Sequence, residues 1–346
     1  MIEIVDIEKF LDHSDQGIPV VDVRSPGEYQ KAHIPGAINI PLFLDDERKR
    51  VGTAYKQVNR EAALFAGLDI VGKKMVDLAK NGMKAGGRNK KLLMHCWRGG
   101  MRSESMAWLF DTMGLTCYVL KGGYKSYRTY LREFLKQPFQ IIIIGGKTGS
   151  GKTEIIKRLY QEGEQVVDLE GLANHKGSAF GALGEQPQPS TEQFENFLFQ
   201  EMRGLDAGKN IWMEDESRNI GRCVIPPELY LQMKESRTLF LDIPAEMRAQ
   251  RLVRDYAAYE KEDLRSCILK IGKKLGGEKT GESLEMLEKN EFYQCILNIL
   301  DYYDRSYMFS LHKNHEAFIE VPSRSMDPEH NMRLLLDRVV KKKLKT

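Results

Sequence analysis

The sequence predicts an α/β fold: two α/β domains in tandem, the second on a parallel sheet and ending in a mostly helical part. Three observations carry this. Short apolar runs alternate with helical patterns over roughly the first 135 residues and again after residue 138. One of those runs leads straight into a glycine-rich loop, "GGKTGSGKT". Pro138 stops the first series just before "FQIIII" begins the second, which places the domains at 1–137 and 138–346. A chain of 346 residues has ample length to bury a core in each.

In the first domain "PVVDVR" (19–24) reads as a short apolar strand, "SPGEYQKAH" as a capped turn and helix, and "IPGAINIPL" (34–42) as the start of another strand. "KKMVDLAKNGMKAGGRNKK" (73–91) is partly helical and closes in a basic, glycine-rich connection. "LLMHC" (92–96) is apolar on both faces, as a buried parallel strand must be. After it, Met106, Leu109, Phe110 and Met113 recur at helical spacing up to Gly114, and "CYVLKGG" supplies a further strand and turn.

In the second domain, strands are expected at "FQIIII", "QVVDLE" (165–170), "NIWMED" (210–215) and "RTLFLDIP" (237–244), with helical patterns between them. From about residue 256 the pattern is mostly helical and runs out in "KKKLKT".

Composition is that of an ordinary globular enzyme, 42% hydrophobic and 29% charged, and the net charge of +3 permits a nucleic-acid partner without demanding one. The acidic start "MIEIVDIEKF" does not resemble a signal peptide, and the longest aliphatic run, "IIII", is far short of a membrane span. The five cysteines form no Cys-x-x-Cys pair, so neither a disulfide framework nor a zinc site is indicated. A cytoplasmic protein with no membrane partner is expected. Cys117 and Cys295 sit in apolar runs, Cys223 and Cys267 lack activating neighbours, and histidines 13, 33, 175, 312 and 315 look isolated, so no metal ligand is assigned.

Gly146, Lys147, Thr148, Gly149, Ser150, Gly151, Lys152 and Thr153 satisfy the P-loop pattern between a strand and a helix, the setting that pattern requires. Backbone N–H groups turned inward, the Lys152 ammonium and the helix N-terminus together suit a phosphate or diphosphate. Glu214 or Asp215 supplies an acid nearby, and Asp168 is an equal candidate for holding Mg²⁺ or a substrate proton. Arg248, Arg251 and Arg254 recur on one helical stretch as phosphate-lid arginines would, although each alone reads as a solvated helix face.

"LLMHCWRGGMRS" sets Cys96 where a strand meets a helix. Loop N–H groups, the helix terminus and the charges of Arg98 and Arg102 all favour its thiolate. Cys-x5-Arg is also the spacing of a phosphatase loop, so these residues fit both a sulfur carrier and a phosphatase.

"VVDVRSPGEYQKAHIPGAINIPL" with "HCWRGGMRS" resembles the rhodanese domain. That resemblance implies a structural Asp-x-Arg pair, a structural His-Ile-Pro-Gly-Ala turn and a loop cysteine that carries persulfide sulfur. Joined to "GGKTGSGKT", "ERKRVGTAYKQVNREAALFAGL" (47–68) and "DLEGLANHKGSAFG" (168–181), the chain over nearly its whole length resembles the tRNA 2-selenouridine synthase family. The resemblance implies a rhodanese-like domain followed by a P-loop NTPase-like domain. It implies a two-step exchange on the wobble 2-thiouridine of the tRNA anticodon loop: geranylation of sulfur by geranyl diphosphate, then displacement by selenophosphate. It makes Cys96 the selenium-bearing thiolate, Gly146 to Thr153 the diphosphate cradle, and tRNA and the enzyme producing selenophosphate the partners. No cofactor is firmly implied beyond these substrates; Mg²⁺ is compatible with them. Many sulfurtransferase loops are a residue shorter, and the longer loop here suits a larger chalcogen.

Two other readings stay open on the residues alone. One is an NTP-dependent kinase or ATPase with a rhodanese or Cys-x5-Arg phosphatase-like module. The other is a tRNA-binding scaffold using "KKKLKT" and the tyrosines of "EFYQCILNILDYYDRSYMF" (291–309).

Overall fold

The computed structural model describes residues 1–315 and 317–343, and they form two units that divide between Phe134 and Leu135, a few residues before the seam expected at Pro138. Leu135 is fully buried and its carbonyl accepts a bond from Gln232, which ties it to the second unit.

The first unit runs β1 (Ile2–Val5), α1 (Ile7–Asp15), β2 (Val20–Asp22), α2 (Pro26–Lys31) and β3 (Ile38–Asn39). Three helices follow, α3 (Asp45–Gln57), α4 (Arg60–Gly72) and α5 (Met75–Gly86), and then β4 (Lys91–His95), α6 (Met101–Thr112), β5 (Thr116–Leu120) and α7 (Gly123–Phe134). The strands form one parallel sheet in the order β1-β5-β4-β2-β3. Leu92 and Met94 of β4 meet Val21, Ile40, Phe110 and Val119 in the core. The central place of β4 explains its lack of alternation: both faces are covered.

The second unit opens with β6 (Gln140–Gly146), α8 (Lys152–Gln161), β7 (Gln165–Val167), α9 (Leu169–Ala173), α10 (Thr191–Arg203) and β8 (Asn210–Glu214). A small antiparallel pair, β9 (Asn219–Ile220) and β10 (Cys223–Val224), precedes α11 (Pro227–Glu235) and β11 (Arg237–Asp242). The rest is α12 (Ala245–Tyr256), α13 (Lys261–Leu275), α14 (Gly277–Glu288), α15 (Phe292–Asn314), β12 (Phe318–Pro322) and α16 (Pro328–Lys343). The main sheet is again parallel, ordered β12-β11-β6-β8-β7. The strand carrying the glycine loop is therefore central, with Ile142 and Ile144 packed against Trp212, Leu239 and Leu241.

One expectation needs correction. The part after residue 256 is not helical throughout, because β12 returns to the sheet and pairs with β11 from Thr238↔Phe318 to Asp242↔Pro322. Five residues at a sheet edge, with only Val321 buried, leave too short a pattern to see from sequence. Helices α13, α14 and α15 build a second core around Leu264, Ile268, Leu287, Cys295 and Ile299. The last three residues of "KKKLKT" lie outside the described residues.

Candidate functional site

In the first unit Cys96 directly follows β4 and is buried. It accepts the Gly100 N–H at 3.4 Å and the Ser103 hydroxyl at 3.3 Å. Burial raises a thiol's pKa, but here the Ser103 hydroxyl and the N–H groups of Gly100, Arg98 and Ser103 outweigh it, and the pKa falls below the ordinary value. The other four thiols move the opposite way under burial, Cys117, Cys223 and Cys295 up to about 11.

Arg98 therefore acts through its backbone. Arg102 does not serve the thiolate as expected: its guanidinium donates to Glu28 at 2.8 Å, so its charge is already matched. Ser103 was missed in the sequence, although a hydroxyl in the first turn of α6 is well placed to meet a sulfur at that helix's N-terminus. The loop is held by the turn after β5, where the Tyr124 N–H donates to the Cys96 carbonyl and the Lys125 N–H to that of Trp97. Gly123, at φ +61°, makes this possible, because a Cβ there would stand 2.5 Å from the Cys96 oxygen. Beneath the loop Asp22 and Arg24 form a buried pair at 2.6 Å, and Arg24 also donates to the Ala32 carbonyl and lies over the Tyr124 ring. His95 is buried and its pKa is lowered, first by burial, so it is a neutral part of the core.

In the second unit the glycine loop leaves β6 and enters α8 as expected. Every residue from Gly146 to Thr153 except Lys147 lines a cavity of about 620 Å³. Lys147 turns away to Asp242 at 3.0 Å. Lys152 donates to the Gly146 carbonyl at 2.9 Å, Thr153 donates to Glu170 at 2.9 Å, and Ser150 is buried with its hydroxyl unpartnered. Gly151 takes φ +86° and turns the chain into the helix.

The acids sort by role. Glu214 ends β8 wholly buried; burial and the nearby Asp168 and Glu170 push its pKa well up, and one of its oxygens has no partner. Asp168 accepts the Gly171 N–H at 2.7 Å as the cap of α9 and does not line the cavity. Asp215 lines it, accepting Tyr307 Oη–H at 2.6 Å and bonding His315 Nε2 at 3.2 Å. His315 is thus not isolated: Thr238 holds its Nδ1 at 3.0 Å. Tyr307 also accepts the Gly146 N–H, which links α15 to the loop.

The arginines likewise separate. Arg248 is buried, not solvated, and binds Asp304 together with the carbonyls of Thr148 and Ile243. Arg251 faces the cavity and pairs with Glu154 and Asp255, whereas Arg254 is exposed. Among the described residues no group of three or more His, Cys, Asp or Glu side chains is arranged to hold a metal ion, and no helix is long and apolar enough to cross a membrane.

Beside the phosphate cavity lies a small apolar pouch of about 60 Å³. Thr148, Ser178, Leu252, Tyr256 and Tyr303 belong to the walls of both. Deeper in, Phe180, Leu264, Ile268, Leu287, Phe292 and Ile299 line it, and no charged side chain does.

Two family models cover these units: the rhodanese-like domain matches residues 6–130, and the tRNA 2-selenouridine synthase AAA domain matches residues 139–327. The tRNA 2-selenouridine synthase of Shewanella frigidimarina is 34% identical over 337 residues, covering 87% of this chain and 90% of its own. The chain belongs to the tRNA 2-selenouridine synthase family. Other members behave alike: that of Bdellovibrio bacteriovorus is 35% identical, with 87% and 90% covered, and that of Hahella chejuensis 32% identical, with 90% of each. Family membership accounts for a rhodanese-like loop and a phosphate loop in one chain, which neither motif explains alone.

Proposed function

We propose that the two units perform the two halves of converting wobble 2-thiouridine in tRNA to 2-selenouridine. Membership of the family makes the chain an enzyme of tRNA selenouridine modification. The finer reading is that the second unit transfers a geranyl group from geranyl diphosphate to the 2-thiouridine sulfur. The first unit then exchanges the geranylthio group for selenium with Cys96 as nucleophile. The thiolate displaces geranylthiolate at C2, the selenium of selenophosphate displaces the Cys96 thiolate, and water cleaves the Se–P bond to leave the 2-selenouridine base and phosphate.

The observation that carries this reading is the apolar pouch sharing its wall with the phosphate cavity. An allylic diphosphate needs both at once, an anion cradle and a dry, uncharged sleeve for its tail. A nucleotide base needs hydrogen-bond partners that the inner pouch does not supply. Ionising the allylic C–O bond places negative charge on the leaving diphosphate, and the cavity lined by Lys152 and the glycine loop at the α8 N-terminus suits such a charge. S-alkylation converts a poor leaving group into a good one. The second step then needs a nucleophilic chalcogen, which the stabilised Cys96 thiolate suits. Selenophosphate and the enzyme that makes it are the partners on this side.

Thermal melting tests the reading. Geranyl diphosphate should raise the melting temperature more than inorganic diphosphate, because only the former has an apolar tail to enter the pouch, which must widen from about 60 Å³ to hold it, and ATP should do less than either. Protection by ATP alone would favour the kinase or ATPase reading.

A further inference from the structure

The N-terminal end of a helix is a poor place for a cation, because its free N–H groups already make that end positive. Arg251 of α12 nevertheless lies there. Its Nη1 stands 2.6 Å from the point a Cβ on Gly151 would occupy, over the residue that caps α8. Only a glycine leaves room for it. The guanidinium lines the phosphate cavity with its side chain 17% exposed, and its hydrogen bonds are incomplete. Nη2 meets one oxygen of Glu154, in the first turn of α8, and Nε donates to Asp255 at 3.3 Å. Nη1 has no acceptor among the described residues, and the other oxygen of Glu154 is buried without a partner. The pair is therefore one-pronged, unlike the two-pronged pair that Arg248 of the same helix makes with Asp304. Of the other cations lining the cavity, Lys152 donates to the Gly146 carbonyl and Lys176 pairs with Glu185 at 2.9 Å, while Lys157 lies further along α8 and is exposed.

We propose that Arg251 is the second cationic ligand of the diphosphate site beside Lys152, and that Glu154 is the carboxylate it gives up when the ligand arrives. This rests on the reading above of the glycine loop as a diphosphate cradle. A diphosphate oxygen between Nη1 and the α8 N-terminus would accept from both, and its charge removes the repulsion that the empty arrangement carries. A guanidinium suits the task because its fork donates in two directions: Nε stays on Asp255 while the two Nη groups turn to the ligand. Leu252 and Tyr256 of the same helix line the apolar pouch, so α12 meets both ends of an allylic diphosphate.

The test is calorimetric titration of the full chain with inorganic diphosphate. Arg251→Met should weaken binding roughly tenfold to a hundredfold, the loss expected for a hydrogen bond between charged groups. Arg254→Met, on the exposed side of the same helix, should bind as the wild type does. Arg251→Lys keeps the charge but not the fork and should recover only part of the loss. Glu154→Gln breaks the same ion pair as Arg251→Met, yet it frees the guanidinium and should tighten binding. If Arg251 merely ties α12 to α8, both variants weaken binding alike and the proposal fails. It fails too if Arg251→Met binds at wild-type affinity, or if Arg251→Lys restores that affinity in full. A wild-type protein that binds diphosphate through Arg251 but transfers no geranyl group leaves this proposal standing and sinks the geranyl reading. One that binds no diphosphate sinks the cradle and the role of Arg251 together.

Discussion

Cys96 shows how the pKa of a buried thiol is lowered without a neighbouring cation. Its thiolate rests on one hydroxyl and on N–H groups of its own loop, while the nearest expected cation, Arg102, is spent on Glu28. The rate of iodoacetamide labelling against pH reads this directly. Cys96 should react at a pH below that of an ordinary thiol, and Cys117, Cys223 and Cys295 should resist until far higher pH. Ser103→Ala removes a bond that favours the charged form, so the Cys96 pKa must rise. A hydrogen bond to a charged group contributes about 1.5–3 kcal/mol, or roughly one to two pKa units. An unshifted labelling curve in Ser103→Ala would assign the activation to the backbone alone. The thiol itself was legible in the sequence from its place between strand and helix. Its partners were not, because spacing names the charges near a loop and not the direction each side chain takes.

Among the elements, α12 and α15 matter most to the second site, and although both were legible as helices, the partners of their side chains were not. Arg248 on α12 and Asp304 on α15 close over the glycine loop at 2.6 Å, with Arg248 also holding the Thr148 carbonyl. An arginine on an amphipathic helix reads as solvated, and only the packing of α12 on α15 buries it. Arg248→Met should cost roughly 3 kcal/mol, the lower end for breaking a buried pair because Asp304 keeps some access to water. Equilibrium urea denaturation measures this; a cost within experimental error would make the pair ornamental. The strands tell the converse story. "LLMHC", "FQIIII" and "RTLFLDIP" were readable because parallel strands covered on both faces are apolar without alternation, whereas β1 and β12 lie at sheet edges, where that signal disappears.

At the scale of the whole molecule, the proposed reading gives one chain two chemistries, and on it each should fail separately. Lys152 is the loop lysine that lines the cavity, since Lys147 is held by Asp242, and on the proposed reading it would meet the leaving diphosphate. Removing one preorganised charge-stabilising group costs about 3–4 kcal/mol of transition-state energy, roughly a hundredfold to a thousandfold in rate. Lys152→Ala should therefore cripple geranylation, yet convert pre-geranylated tRNA with selenophosphate normally, and neither step should consume ATP. The domain order and both loops were legible from the sequence, and so was the family. The pouch was not, because its walls come from α12 through α15 and the segment around Phe180, which meet only after folding. The most direct test of the central claim, that the units divide the reaction, is nucleoside mass analysis of tRNA from cells whose only copy of the protein is Cys96→Ala. The account predicts that 2-selenouridine disappears and S-geranyl-2-thiouridine accumulates in its place. A pool holding only unmodified 2-thiouridine would contradict it.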